Sequence, residues 1–154
     1  MQRSINIFDK LGSLIPGYKG YAERNNRRQS EKLLRDRLYQ VISSCEKVIS
    51  NKIAESIKIK NFNPINELEE CRKKLNTFGD KIQYAPYGES AFFSNEQLKE
   101  DELLIIYQKD LALLERLNDF YKEIPDLDTI TVLKKISELE KSFTVRNEYI
   151  KEFK

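Results

Sequence analysis

Apolar residues recur along most of this chain at intervals of three and four, the spacing that lines one face of an α-helix. The stripe Leu34, Leu38, Val41, Cys45 and Val48 predicts a helix from near Ala22 toward Ile59. Its continuation through Ile53 and Ile57 is interrupted by Lys and Ser, which predicts fraying or a bend before Asn61. The stripe Leu68, Cys71, Leu75, Phe78 and Ile82 follows Asn63-Pro64. That pair suits a helix start, because Asn caps exposed amides and Pro lacks a donor that had no partner anyway. Ser94 and Gln97 have capping-box spacing, and the helix they open extends to Glu123 before Pro125, about 45 Å of rise. With eleven large apolar or aromatic residues from Leu103 to Tyr121, this helix is expected to be the most buried. Val132, Ile136, Leu139, Phe143, Ile150 and Phe153 mark a last helix from about Thr129. At the other end Ile7, Phe8, Leu11, Leu14 and Ile15 predict a short amphipathic helix over 4–14, stopped by Pro16-Gly17 and capping the rest.

Between 83 and 94 the text changes to QYAPYGESAFFS, which cannot continue an ordinary helix. Tyr84, Tyr87, Phe92 and Phe93 are expected to pin this connection onto the bundle; left exposed, they would form a binding surface instead. Four long helices, a short N-terminal one and short connections predict an all-α antiparallel helical bundle, a single domain over 1–154. No internal repeat or low-complexity segment stands out.

Composition narrows the chemistry more than the fold. With 5 Gly and 4 Pro, few positions break a regular element. Cys45 and Cys71 fall on helical core stripes and form no Cys-x-x-Cys pair, so neither a disulfide framework nor a metal or redox role is read into them. There is no His, which removes the commonest general base and the commonest zinc ligand. No metal and no cofactor are expected, and the chain is read as a non-enzyme. The contrasting reading, carboxylate and tyrosine chemistry through Glu89 or Asp110, lacks any spacing that brings such groups together. The N-terminus lacks the apolar run of a signal peptide, and no window approaches the ~20 apolar residues of a membrane span. A cytoplasmic location is expected.

Two charges interrupt the last two seams. Ile106, Asp110, Leu113 and Leu117 are spaced like core positions, and Arg146 falls between Phe143 and Ile150 in the same rhythm. In a hairpin around Pro125 with residues 124 and 129 level, Asp110 faces about residue 143, and Arg146 lies three residues on, ~4.5 Å along the helix. A guanidinium spans that offset, and an unpaired ion in an apolar seam is strongly destabilising, so Asp110 and Arg146 are expected to meet and to fix register.

The net charge of +2 conceals an asymmetry: residues 1–60 hold 13 Lys and Arg against 6 Asp and Glu, and the remainder 14 against 19. The basic half is concentrated in IPGYKGYAERNNRRQSEKLLRDR, residues 15–37. There Gly17 and Gly20 permit a close backbone approach, and Lys19, Arg24, Arg27, Arg28, Lys32 and Arg35 put several positive groups on a common side. These cations either meet acidic residues of other helices or stand in solvent, or they form a surface for phosphate, anionic lipid, nucleic acid or an acidic protein. Among the functional readings an acidic protein partner ranks first, because the rest of the chain is acidic and would repel an extended polyanion. Nucleic acid ranks second, and a homo-oligomer stays open.

PGYKGYAERNNRRQSEKLLRDRL resembles the opening of an uncharacterised family of small bacterial helical proteins, in which a hydrophobic segment precedes PGYxGY, an RR pair and a helix. APYGESAFFS resembles that family's aromatic loop, with Glu89 where another aromatic residue is expected. The resemblance implies a bacterial cytoplasmic protein and no particular activity.

Overall fold

The computed structural model describes residues 2–88 and 90–153, with side chains from Asn6 onward; Glu89, invoked above for the aromatic loop and for carboxylate chemistry, lies outside the described residues. The described chain is all-α. Helix α1 (Gln2–Leu14) is followed by a 3-10 turn (Arg24–Asn26) and α2 (Arg27–Lys58). Then come α3 (Ile65–Tyr84), the single turn α4 (Ala91–Ser94), α5 (Glu100–Glu123), a second 3-10 turn (Ile124–Asp126) and α6 (Thr129–Lys151).

The four long helices form two antiparallel hairpins, α2–α3 and α5–α6, laid side by side. Lys52 Nζ donates to the Ile124 carbonyl at 3.3 Å, joining the C-terminal ends of α2 and α5, and Thr129 Oγ1 donates to Glu67 Oε2 at 2.8 Å, joining the N-terminal ends of α3 and α6. Neighbours across the two hairpins therefore run parallel, and α3 and α5 sit on a diagonal. The connection 85–99 has to cross that diagonal at the end of the bundle where α2 begins and α6 finishes. A segment crossing a helix end must satisfy its own carbonyls or leave them to water.

Fully buried side chains from every long helix fill the interior, among them Leu34, Leu38, Leu75, Phe78, Leu114, Ile136 and Phe143. Each such aliphatic or aromatic residue contributes roughly 1.5–3 kcal/mol of transfer free energy. The α2 stripe drifts as it proceeds, from Leu34, Leu38, Val41 and Cys45 to Ile42, Ile49 and Ile53, leaving Val48 half-buried. Such a drift follows from a helical turn longer than a strict 3.5-residue repeat. At Gly79 an added Cβ would lie 3.2 Å from Tyr39 Cε2, so the glycine allows α2 and α3 to approach closely.

Four helix ends differ from expectation. Helix α2 shows no interruption before its end: it continues to Lys58 and closes with Lys60 in the left-handed region (φ 58), Lys60 N–H bonding the Ile57 carbonyl at 3.1 Å and Asn61 N–H bonding the Ser56 carbonyl at 2.9 Å. Its start is Arg27 and not Ala22, because the chain before it is committed to a strap over the bundle end. Helix α5 opens at Glu100, where Glu102 Oε1 accepts from Lys99 N–H at 2.7 Å, and Ser94 and Gln97 take no part. With Phe92 and Phe93 buried, residues 91–94 form a separate turn, and Asn95 and Lys99 are extended. At α3 the capping position is Pro64, whose carbonyl accepts from Leu68 N–H at 3.0 Å, and no side chain caps.

Candidate functional site

The strap between α1 and α2 begins where Pro16 and Gly17 end α1, and it crosses the top of α5. Gly20 has φ 79, and a Cβ placed there would sit 2.5 Å from the Tyr107 hydroxyl and 3.1 Å from Phe8 Cε1, so backbone lies directly on the side chains of two other helices. The Tyr107 hydroxyl accepts from Tyr21 N–H at 2.9 Å, and Ser30 Oγ donates to the Gly20 carbonyl at 2.8 Å. Tyr21 packs among Tyr18, Tyr107 and Phe92 with ring centroids 5.2–5.9 Å apart.

Beneath the strap lies a cluster of buried charge. Arg146 of α6 donates from Nε to Asp110 Oδ1 at 2.7 Å, the contact expected from hairpin register. It also donates from Nη1 to Glu31 Oε2 at 2.7 Å, from Nη2 to Glu31 Oε1, from Nη1 to Asn147 Oδ1 at 3.0 Å and from Nη2 to the Tyr21 hydroxyl at 3.2 Å. Tyr21 in turn donates to Asp110 Oδ2 at 2.6 Å, and Arg35 Nε donates to Glu31 Oε2 at 3.3 Å. The strap, α2, α5 and α6 are thus tied through a single guanidinium. Burial drives the Glu31 carboxyl upward, but Arg146 and then Arg35 outweigh it and hold the group below the usual carboxylate range. Asp110 faces one arginine and also feels the Glu31 charge, so burial prevails and its pKa is raised. Burial, reinforced by the Asp110 charge, holds the Tyr18 and Tyr21 hydroxyls well above the ordinary phenol value.

Of the six cations grouped as a binding surface, the structure withdraws two. Arg27 is fully buried without a carboxylate, in a cage of main-chain carbonyls. Its Nε donates to Tyr21 at 2.8 Å, Nη1 to Phe92 at 2.9 Å and to Asn95, and Nη2 to Ala22 at 3.5 Å and Glu96 at 3.4 Å. The residue satisfies the crossing loop and the strap together. Arg35 is 3 % exposed; besides Glu31 it holds the carbonyls of Ile82, at 3.2 Å, and Ala85, and its guanidinium lies 4.2 Å from the Tyr87 ring centroid. Neither residue is available at a surface, because each supplies donors to chain segments that lack partners of their own.

The other four stay outside. Lys32 pairs with Asp36 at 2.8 Å, and Lys19 is exposed. Arg24 reaches the Ser94 carbonyl at 3.4 Å, and Arg28 lies over the Phe93 ring, 4.5 Å from its centroid. Among the described residues neither arginine has a carboxylate partner. Arg24, Glu23, Asn25, Glu96 and Gln97 border an open hollow of about 400 Å³ beside this rim. In the aromatic loop Phe92 and Phe93 are buried, Tyr87 is half-buried under Arg35, and Tyr84 points outward at 75 % exposure, so three of the four rings pin the loop.

Cys45 and Cys71 are free and buried, and burial raises their thiols to about 12 and about 11. Among the described residues no group of three or more His, Cys, Asp or Glu side chains could hold a metal ion, and no helix is long and apolar enough to cross a membrane. No protein-family model, no curated protein and no solved structure matches the chain.

Sequence reasoning missed Glu31 and misplaced Arg27, yet a signal was present. Positions 27, 31, 34, 38, 41 and 45 are spaced four, three, four, three and four, so both residues prolong the α2 core stripe.

Proposed function

We propose that this protein acts without catalysis, by docking an acidic protein partner on the rim formed by Lys19, Arg24, Arg28 and Lys32. The observation that carries this reading is the outward position of Arg24 and Arg28, both without a carboxylate partner among the described residues, beside Arg27 and Arg35, which are turned inward. The buried side of Arg28 rests on Phe93, a contact that limits its rotamers and lowers the entropy lost when a ligand engages it. A guanidinium pair of this kind suits carboxylates in bidentate geometry. The cytoplasm is the setting we assign, since it keeps thiols such as Cys45 and Cys71 reduced.

The test is a titration at low salt with a labelled acidic helical peptide, a single-stranded and a duplex oligonucleotide, and vesicles containing anionic lipid. Binding of the peptide, lost in the double variant Arg24→Glu/Arg28→Glu, supports the proposal. Binding of the oligonucleotides or vesicles in preference to the peptide replaces it with the corresponding polyanion or membrane reading.

A further inference from the structure

The outer face of the α5–α6 hairpin carries a second surface, independent of the rim. Two adjoining open hollows, of about 450 Å³ and about 370 Å³, run along the groove between these helices. Leu113, Phe120 and Leu139 line them from the core side, while Ala112 and Val145 are exposed along them. Helix α1 does not cover this face, for it packs on the far side of α5, where Phe8 stacks on Tyr107.

Charge along the groove is segregated. Lys109, Arg116 and Lys141 occupy the half away from the hairpin turn, and Asp119, Glu123 and Glu138 the half near it. Lys135, which pairs with Glu123 at 3.4 Å, is the one lining cation in the acidic half. Arg116, Asp119, Glu138 and Lys141 are all exposed, and among the described residues none of them forms an ion pair within the chain. Arg116 donates to the Ser142 hydroxyl at 3.3 Å.

The rungs Glu123–Lys135, Arg116–Ser142 and Asp110–Arg146 fix the level of the two helices. They set the midpoint between Arg116 and Asp119 level with the midpoint between Glu138 and Lys141. A two-fold axis lying in the plane of the face and crossing both helices at that level sets α5 antiparallel to a second α5, and α6 antiparallel to a second α6. Arg116 then faces Asp119 of the other copy, Glu138 faces Lys141 of the other copy, and the axis repeats both pairs. An isologous contact needs a patch complementary to itself, and this register supplies one on both helices at once.

We propose that this groove is a homodimer interface, whose occupant is a second copy of the chain bound antiparallel across α5 and α6. The charges give orientation and association rate, and the apolar floor supplies burial.

The test pairs two charge-reversed proteins, Arg116→Glu/Lys141→Glu and Asp119→Lys/Glu138→Lys, with the unaltered chain. Sedimentation velocity over micromolar to millimolar concentration reads assembly, and circular dichroism checks that each variant keeps its helices. The unaltered chain is expected to dimerise more weakly as salt rises. Each reversed protein alone should have its dimer dissociation constant raised on the order of tenfold or more. Mixing the two should restore a one-to-one heterodimer, seen directly by native mass spectrometry, because every pair across the axis is again opposite in sign. A chain that stays monomeric throughout, a dimer indifferent to the reversals, or folded variants that do not combine on mixing overturns the proposal.

Discussion

Below the start of α2, Arg27, Arg35 and Arg146 are enclosed and hydrogen-bonded to carbonyls and carboxylates, whereas above it Lys19, Arg24, Arg28 and Lys32 carry the same charge into solvent. The two sets overlap in sequence, and Arg27 and Arg28 are adjacent. Their difference comes from what each can reach. A guanidinium on the core stripe is surrounded by strap and crossing-loop carbonyls for which it is the donor among the described residues, and satisfying them offsets its desolvation. One residue further round the helix, the same group has only a ring beneath it. The lower set ties the helices and the strap together, and the upper set lies outside that network, where the proposed docking would engage it.

Substitutions separate the two regions by magnitude. The largest loss is expected for Asp110→Ala, which leaves Arg146 to share a single carboxylate and strips the Tyr21 hydroxyl of its acceptor; chemical denaturation should show a loss of about 3–5 kcal/mol. Gly20→Ala comes next. The left-handed backbone alone costs roughly 1–3 kcal/mol, and the Tyr107 hydroxyl has to move as well. If the variant matches the parent in stability, the strap is not seated as described.

The lower region should also respond to alkali. Tyr18 and Tyr21 have folded-state pKa values above the ordinary phenol value, so their contribution is complete below about pH 10. It is lost as pH rises from there toward the folded values, because only the unfolded chain releases those protons readily. Stability measured from neutral pH into that range should fall, and a Tyr21→Phe variant should fall less steeply. The smallest effect belongs to the rim: Arg24→Ala and Arg28→Ala are each expected to change stability by less than about 0.5 kcal/mol. They should still weaken the acidic-peptide binding of the titration above, a dissociation of stability from binding that the lower set cannot show.

Much of this was legible in the residues. The stripes located every long helix, and a charge interrupting a seam, combined with hairpin register, brought Asp110 and Arg146 together. The same rule extended toward the N-terminus reaches Glu31 and Arg27, but a dense run of arginine and lysine obscures the three-four spacing beneath it. Arg35 lies on a neighbouring stripe with Leu38, Ile42, Cys45 and Ile49, also spaced three and four. Tyr21 carried no such signal, since its position depends on a strap whose partner, Tyr107, is 86 residues away. Capping chemistry misled at Ser94, where burying Phe92 and Phe93 outweighed a favourable side-chain cap. The parallel pairing of the two hairpins was invisible for a related reason: helical periodicity says which face is apolar and nothing of which neighbour covers it.

Arg146 lies in the last described helix, and its two carboxylates belong to α2 and α5. A ribosome that has passed Asp110 has therefore already made two buried anions whose main counter-ion is still to come. Chains cut short before Arg146 would leave Glu31 and Asp110 dependent on Arg35 and on solvent, and such fragments should be open to proteases. The last helix completes the electrostatics of the molecule as well as its packing, which makes intact synthesis itself a condition of stability.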